Sequence, residues 1–316
     1  MIKNRRAFIV GIKSTTLSKK EKKFLKKYKP WGVIIFSRNI KSFKQLSKLT
    51  KDIKKIFNDH NYPILIDEEG GRVNRLKKLF DTSIFTGSFF SSIYQKDIKK
   101  FRLYYKIYSK QVSYILKHVG ININTVPVLD VRRANSNNII GDRSFGYDPK
   151  IVSKIGDFSI DEFTKNKIGT IIKHIPGHGL AKVDSHKKTT IVKEKLHILN
   201  KKDFYPFKNK KCFFAMTAHI VYQDIDNANT ATHSKKVINL IRSKINFKNL
   251  IISDDISMKG LKFSIKKNTE KAFSAGCNLV LHCNGKFKEM MIVARNSPKV
   301  SKFIIKKTSQ FYKILS

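Results

Sequence analysis

Short apolar runs recur along this chain, separated by longer lysine-rich stretches in which hydrophobic residues return at helical spacing. The runs Ala7–Ile12, Gly32–Phe36, Pro63–Ile66, Ile121–Val126, Gly169–Ile172, Cys212–Met216, Leu250–Ile252 and Asn278–Leu281 read as buried strands. Between them, Ser42–Phe57 carries Phe43, Leu46, Leu49, Ile53 and Ile56 close to a helical period. Asp97–His118, Lys150–Asn166, Ser234–Ser243 and Ile265–Ala275 read as further helices. The tail Lys299–Ser316, with Val300, Phe303, Ile304, Phe311 and Ile314, is expected as a helix packing back on the body. Strands alternating with helices predict a mainly parallel sheet.

The residues just after each strand are more informative. Asp67-Glu68-Glu69-Gly70-Gly71-Arg72, Pro127-Val128-Leu129-Asp130, Lys173-His174, Thr217-Ala218-His219, Ser253-Asp254-Asp255 and His282-Cys283-Asn284 each close an apolar run. Polar groups gathered at strand C-termini suit a parallel barrel, where those ends share one face. A doubly wound open sheet would usually carry a glycine-rich phosphate loop after its first strand. Gly11-Ile12-Lys13-Ser14 has one glycine and no such fingerprint. The expected fold is therefore α/β, a (β/α)8 TIM barrel in a single domain over residues 1–316, with an N-terminal strand and a hairpin-like entry.

Composition changes this picture little. At 316 residues and 41% hydrophobic, with 23 Phe, the chain can build a large core despite a net charge of +42. Such a charge suggests a nucleic-acid or anionic-surface binder. Lysine far outnumbers arginine and is spread along the whole chain, so general lysine richness explains it better. Cys212, Cys277 and Cys283 have no metal-like spacing, and free thiols suit a reducing compartment. The apolar run after Lys3-Asn4-Arg5-Arg6 is shorter than a signal-peptide core, and no run approaches the ~20 apolar residues of a membrane span. The expectation is a cytoplasmic monomer with no membrane partner, no specific nucleic-acid partner and no cofactor.

The densest chemistry lies in Lys173-His174-Ile175-Pro176-Gly177-His178-Gly179, followed by Asp184-Ser185-His186. Pro176, Gly177 and Gly179 predict a strand end opening into a loop. Asp184 and His186, two apart on extended chain, point the same way, and such a contact orients an imidazole as a general acid near neutrality. His174, His178, Asp184 and His186 are metal-ligand types, but Pro-Gly breaks the helix that i, i+4 histidines need and Lys173 repels a cation. No metal is expected. Asp254 is either a strand-end nucleophile or base, or a helix cap; Asp255 suits the cap better. Asp67, Arg75, Arg143, Lys173 and His174 suit a neutral, hydroxyl-rich ligand. Glu69-Gly70-Gly71-Arg72 reads as a turn and its pin.

Ile66-Asp67-Glu68-Glu69-Gly70-Gly71-Arg72-Val73-Asn74-Arg75 resembles the sugar-binding motif of bacterial β-N-acetylhexosaminidases of glycoside hydrolase family 3. Pro127–Val131, Ile140–Gly146, Lys173–Gly179 with Asp184-Ser185-His186, Met216–His219 and Ser253–Met258 follow in the family's order. The resemblance implies a retaining exo-glycosidase acting on N-acetylglucosaminyl-1,6-anhydro-N-acetylmuramyl peptides in cell-wall recycling. It implies Asp254 as nucleophile, His186 as acid/base, Asp184 as the residue that tunes His186, and Asp67, Arg75, Arg143, Lys173 and His174 as sugar ligands. Alternatives are a β-glucosidase of the same family and a degenerate barrel that binds polyanions. Glu68 departs from the family's usual glutamine and is expected to add a negative charge beside Asp67.

Overall fold

The structure is a computed structural model and describes residues 2–133, 138–181 and 189–315. In chain order its strands are β1 (Arg6–Gly11), β2 (Pro30–Ile35), β3 (Ile64–Ile66), β4 (Glu68–Gly70), β5 (Val73–Asn74), β6 (Ile123–Asn124), β7 (Gly169–Ile175), β8 (Thr190–Val192), β9 (Phe214–Thr217), β10 (Ile220–Tyr222), β11 (Leu250–Asp255) and β12 (Leu279–His282). The helices are α1 (Lys19–Tyr28), α2 (Phe43–Phe57), α3 (Gly87–Lys96), α4 (Ile98–His118), α5 (Pro149–Lys165), α6 (Leu196–Lys201), α7 (Lys235–Ser243), α8 (Ile265–Ala275), α9 (Phe287–Asn296) and α10 (Lys302–Leu315).

Strands β1, β2, β3, β6, β7, β9, β11 and β12 close into a parallel barrel, β12 pairing back onto β1 with Phe8 opposite Val280. This is the expected (β/α)8 architecture, and each strand overlaps one of the predicted runs. Alternate residues sort to two sides, as the period of a strand requires. Ala7, Ile9, Trp31, Phe214, Met216, Leu250, Ile252, Leu279 and Leu281 form one buried cluster. Phe8, Val10, Val33, Ile35, Ala215, Ile251 and Val280 join the larger cluster beneath the helices.

Helix starts follow from side-chain caps that satisfy orphan N–H groups. Ser42, Asp97, Ser234 and Ser264 each accept a bond from the backbone N–H three residues on, opening α2, α4, α7 and α8. Ser18 and Glu21 form a reciprocal capping box at α1. The chain therefore enters through β1, a loop and α1 rather than through a hairpin; the short antiparallel pair is β4–β5, after β3. Helices α1, α3, α6 and α9 add to the predicted set. The expected strand Ile121–Val126 shortens to the two residues of β6, while β7 lengthens through Ile175 and carries Lys173 and His174 inside it. Among the described residues, no helix is long and apolar enough to cross a membrane.

Candidate active site

The five expected sugar ligands gather at one end of the barrel. Asp67 follows β3, and its Oδ2 lies 3.3 Å from Arg75 Nη2 on the loop after β5. The Thr125 hydroxyl donates to Asp67 Oδ1, and Lys173 Nζ stands 3.5 Å from the same oxygen. Lys173 Nζ also donates to Thr125 Oγ1 at 2.8 Å and to Glu69 Oε1 at 2.6 Å. Glu69 in turn receives Arg143 in a fork, Nε at 2.7 Å and Nη2 at 2.8 Å. A continuous chain of alternating charge thus runs Arg75–Asp67–Lys173–Glu69–Arg143. Bidentate contact of this kind fixes both partners.

Burial alone would push both carboxylates upward. At Asp67, burial is outweighed by Lys173, Arg75 and the Thr125 hydroxyl, so its pKa falls below the ordinary value. At Glu69, burial is outweighed by Arg143 and Lys173, and the pKa falls far. Glu69 lowers the acidity of Arg143 reciprocally, raising its pKa against the desolvation that opposes it. The glutamate expected to pin a turn is instead the centre of the network. Arg72 does the pinning, donating to the carbonyls of Asn138, Ile139 and Ile140.

Glu68 also departs from expectation. Its carboxylate is buried, with Oε2 accepting from the Leu76 N–H at 2.9 Å and Oε1 from the Thr82 hydroxyl at 2.6 Å. Burial raises its pKa to about 7 against those two bonds. It ties the loop that carries Arg75 to the end of β3, and near neutrality it carries only part of the negative charge expected beside Asp67.

His174 is held from behind. Its backbone N–H donates to Asp130 Oδ1 at 3.1 Å, and its ring Nδ1 stands 2.7 Å from Asp130 Oδ2. Asp130 is fully buried, yet the His174 and His178 rings and backbone donors hold its pKa low, so it accepts and Nδ1 carries the proton. The His178 N–H also donates to Asp130 at 2.7 Å. The His178 ring is itself buried, which lowers its pKa to about 4 and keeps it neutral. The peptide between Lys173 and His174 is cis.

Asp254 lies near the C-terminal end of β11 and accepts the N–H of Asp255 at 2.7 Å. Asp255 does not cap a helix as expected. It accepts from Ser257 and from the Cys283 N–H, folding the chain after β11, while Ser264 caps α8. His219 bonds Thr232 Oγ1 through Nδ1 at 2.7 Å and the Asp255 carbonyl through Nε2 at 3.0 Å. Burial is the chief cause of its lowered pKa; the Asp254 carboxylate opposes this and His174 adds to it, which puts both within electrostatic reach. Burial pushes the Cys283 thiol well up, and the charges of Asp255, Asp67 and Asp254 push it further. Asp67 follows β3 and Asp254 lies near the C-terminal end of β11, so in a parallel barrel both border the same mouth. Asp184 and His186 lie outside the described residues. Among the described residues, no group of three His, Cys, Asp or Glu could hold a metal ion.

Glu69, expected only to pin a turn, belongs to the site, and Thr125, Asp130 and His219 complete it without having been assigned roles from sequence. Asp130 and His219 carried a signal, since each is a polar residue closing an apolar run. Thr125 carried none.

The chain is similar to a protein named β-hexosaminidase from Nitrosomonas eutropha, 32% identical over 287 residues, covering 87% of this chain and 80% of that one. A crystal structure of NagZ from Neisseria gonorrhoeae in complex with N-trifluoroacetyl-D-glucosamine matches at TM-score 0.83 and 25% identity, with 99% of each chain covered. A family 3 β-N-acetylglucosaminidase from Paenibacillus shares the fold at TM-score 0.85 and 22% identity; this chain covers 60% of its length. The model of the glycosyl hydrolase family 3 N-terminal domain matches residues 6–307, and on that match the chain belongs to glycosyl hydrolase family 3.

Proposed function

We propose that the protein is a retaining exo-β-N-acetylglucosaminidase that removes terminal N-acetylglucosamine from N-acetylglucosaminyl-1,6-anhydro-N-acetylmuramyl peptides in cytoplasmic cell-wall recycling. The observation that carries this reading is the ion-paired chain Arg75–Asp67–Lys173–Glu69–Arg143 at the barrel mouth that Asp254 borders. Such a chain offers fixed acceptors for sugar hydroxyls and fixed donors for hydroxyl and acetamido oxygens. The β-hexosaminidase name of the relatives points the same way.

In this reading Asp254 attacks the anomeric carbon and forms a covalent glycosyl ester. His186, oriented by Asp184, protonates the departing oxygen. Neutral after that transfer, His186 then takes a proton from the incoming water, and the ester breaks to return Asp254. His174, its Nδ1 proton committed to Asp130, presents Nε2 to the sugar.

The test is turnover of 4-nitrophenyl N-acetyl-β-glucosaminide beside the corresponding glucoside. The N-acetyl substrate is expected to be strongly preferred. Asp254→Asn is expected to lower kcat by about 10³-fold or more, and His186→Ala to cause a large loss. Unchanged turnover in Asp254→Asn would remove the nucleophile assignment; preference for the glucoside would replace the substrate.

A further inference from the structure

We propose that the outward face of α4 is a docking surface for an anionic lipid bilayer. The inner face of this helix is ordinary: Phe101, Tyr105, Tyr108, Val112 and Leu116 are buried against the body. The outer face is not. Leu103, Tyr104, Ile107 and Tyr114 are 46–65% exposed. At about 100° per residue they share an arc of about 100°. His118 lies on the same arc, stacked on Tyr114 and edge-on to Phe43, each at 6.4 Å between ring centroids; Phe43 is itself exposed. Scattered exposed apolar residues need no explanation, but four on one arc do, although the exposed Lys100 and Gln111 share that arc with them.

Charge identifies the occupant. Ile98–His118 contains six Lys or Arg and no Asp or Glu. Lys99, Lys106, Lys110 and Lys117 are exposed and fall in one row along a margin of the stripe. An apolar stripe edged by lysines matches a bilayer interface, with apolar side chains entering between headgroups and ammonium groups meeting lipid phosphates. A nucleic acid fits less well. Arg102 is the one side chain of the helix able to grip phosphate bidentately, and of the four exposed apolar residues two, Leu103 and Ile107, have no ring for a base to stack on, while Tyr104 and Tyr114 do. A second copy is disfavoured because two such faces repel and neither supplies an acid. Attachment would be peripheral, since no described helix can cross a membrane. Because α4 lies on the outer ring between β3 and β6, docking leaves the barrel mouth open.

The test is co-sedimentation of the full chain with vesicles of phosphatidylcholine alone and of phosphatidylcholine with phosphatidylglycerol at physiological salt. Binding at least tenfold stronger to the anionic vesicles is expected. The triple variant Leu103→Asn, Ile107→Asn, Tyr114→Ser should lose at least tenfold, as should Lys99, Lys106, Lys110 and Lys117 changed together to Gln. Changing Lys19, Lys20, Lys22 and Lys23 on α1 to Gln removes the same charge and should alter binding less than twofold. Thermal melting checks that each variant folds, and Ile107→Asn alone replaces the triple variant if that one does not. The proposal is overturned by absence of binding to anionic vesicles, by an apolar variant that binds as well as the parent, or by an equal effect of the α1 changes. Duplex DNA binding that the α4 variants abolish while vesicle binding persists overturns it too. None of these readouts depends on glycosidase activity.

Discussion

Asp67, Glu68 and Glu69 stand in a row after β3, and each meets a different environment. Asp67 and Glu69 face cations and are held ionised; Glu68 turns into the body and is pushed to about 7. The sign of the Glu68 effect on stability is definite. Its unfolded value is near 4.5, so below that pH both states hold the proton and there is no penalty. Between 4.5 and 7 the unfolded state loses its proton first and stability falls; above 7 the full cost, about 3 kcal/mol, is present. Glu68→Gln keeps both bonds, its amide oxygen accepting from Leu76 and its NH2 donating to Thr82. It is expected to raise the melting temperature above pH 7 and to flatten the decline between pH 5 and 7. A melting profile unchanged from the parent would refute this. Glu69→Ala should act oppositely. It leaves Lys173 and Arg143 buried without their shared carboxylate, and a loss of about 3–5 kcal/mol is expected in denaturant unfolding.

At the scale of elements, β7 and the segment after it position Lys173, His174 and His178 together. That segment is threaded closely through the structure. A Cβ on Gly179 would meet the Val131 carbonyl oxygen at 1.9 Å, and Gly177 adopts φ +151° beside Asp203. Gly179→Ala should cost at least about 1–3 kcal/mol and weaken substrate binding, because backbone cannot yield as a flexible side chain would. Calorimetry and KM measured on the same variant check both parts. The strands were legible because buried parallel strands read as continuous apolar runs. The missed helices have physical explanations. α1 is dominated by lysine, with Phe24 and Leu25 its buried apolar residues, and α3 opens on glycine and serine.

At the scale of the molecule, α10 closes the end of the barrel remote from the site. Phe311 packs on Phe214 at 5.2 Å between ring centroids and against Gly169, and Trp31 Nε1 donates to Thr308 Oγ1 at 2.9 Å. The barrel interior and α10 therefore form one cluster. Phe311→Ala should destabilise the whole barrel by about 3–5 kcal/mol in denaturant unfolding, in a single transition. A separate early transition confined to α10 would argue that the helix is an appendage.

The sequence by itself determined the fold class, because apolar runs and helical spacing record what each segment must bury. It also placed Asp67, Lys173, His174 and Asp254 at or near the C-terminal ends of strands, where a parallel barrel collects its chemistry. What only the tertiary structure decided is how those groups are paired. Glu69 joins Lys173 and Arg143 across more than 70 residues of chain, Thr125 bridges Asp67 and Lys173, and Glu68 bonds a backbone N–H and a hydroxyl while the carboxylates on either side of it pair with cations. Neighbours in sequence say little about such choices, since they depend on which distant charges closure of the barrel brings within hydrogen-bonding range and on which side chains it leaves without water.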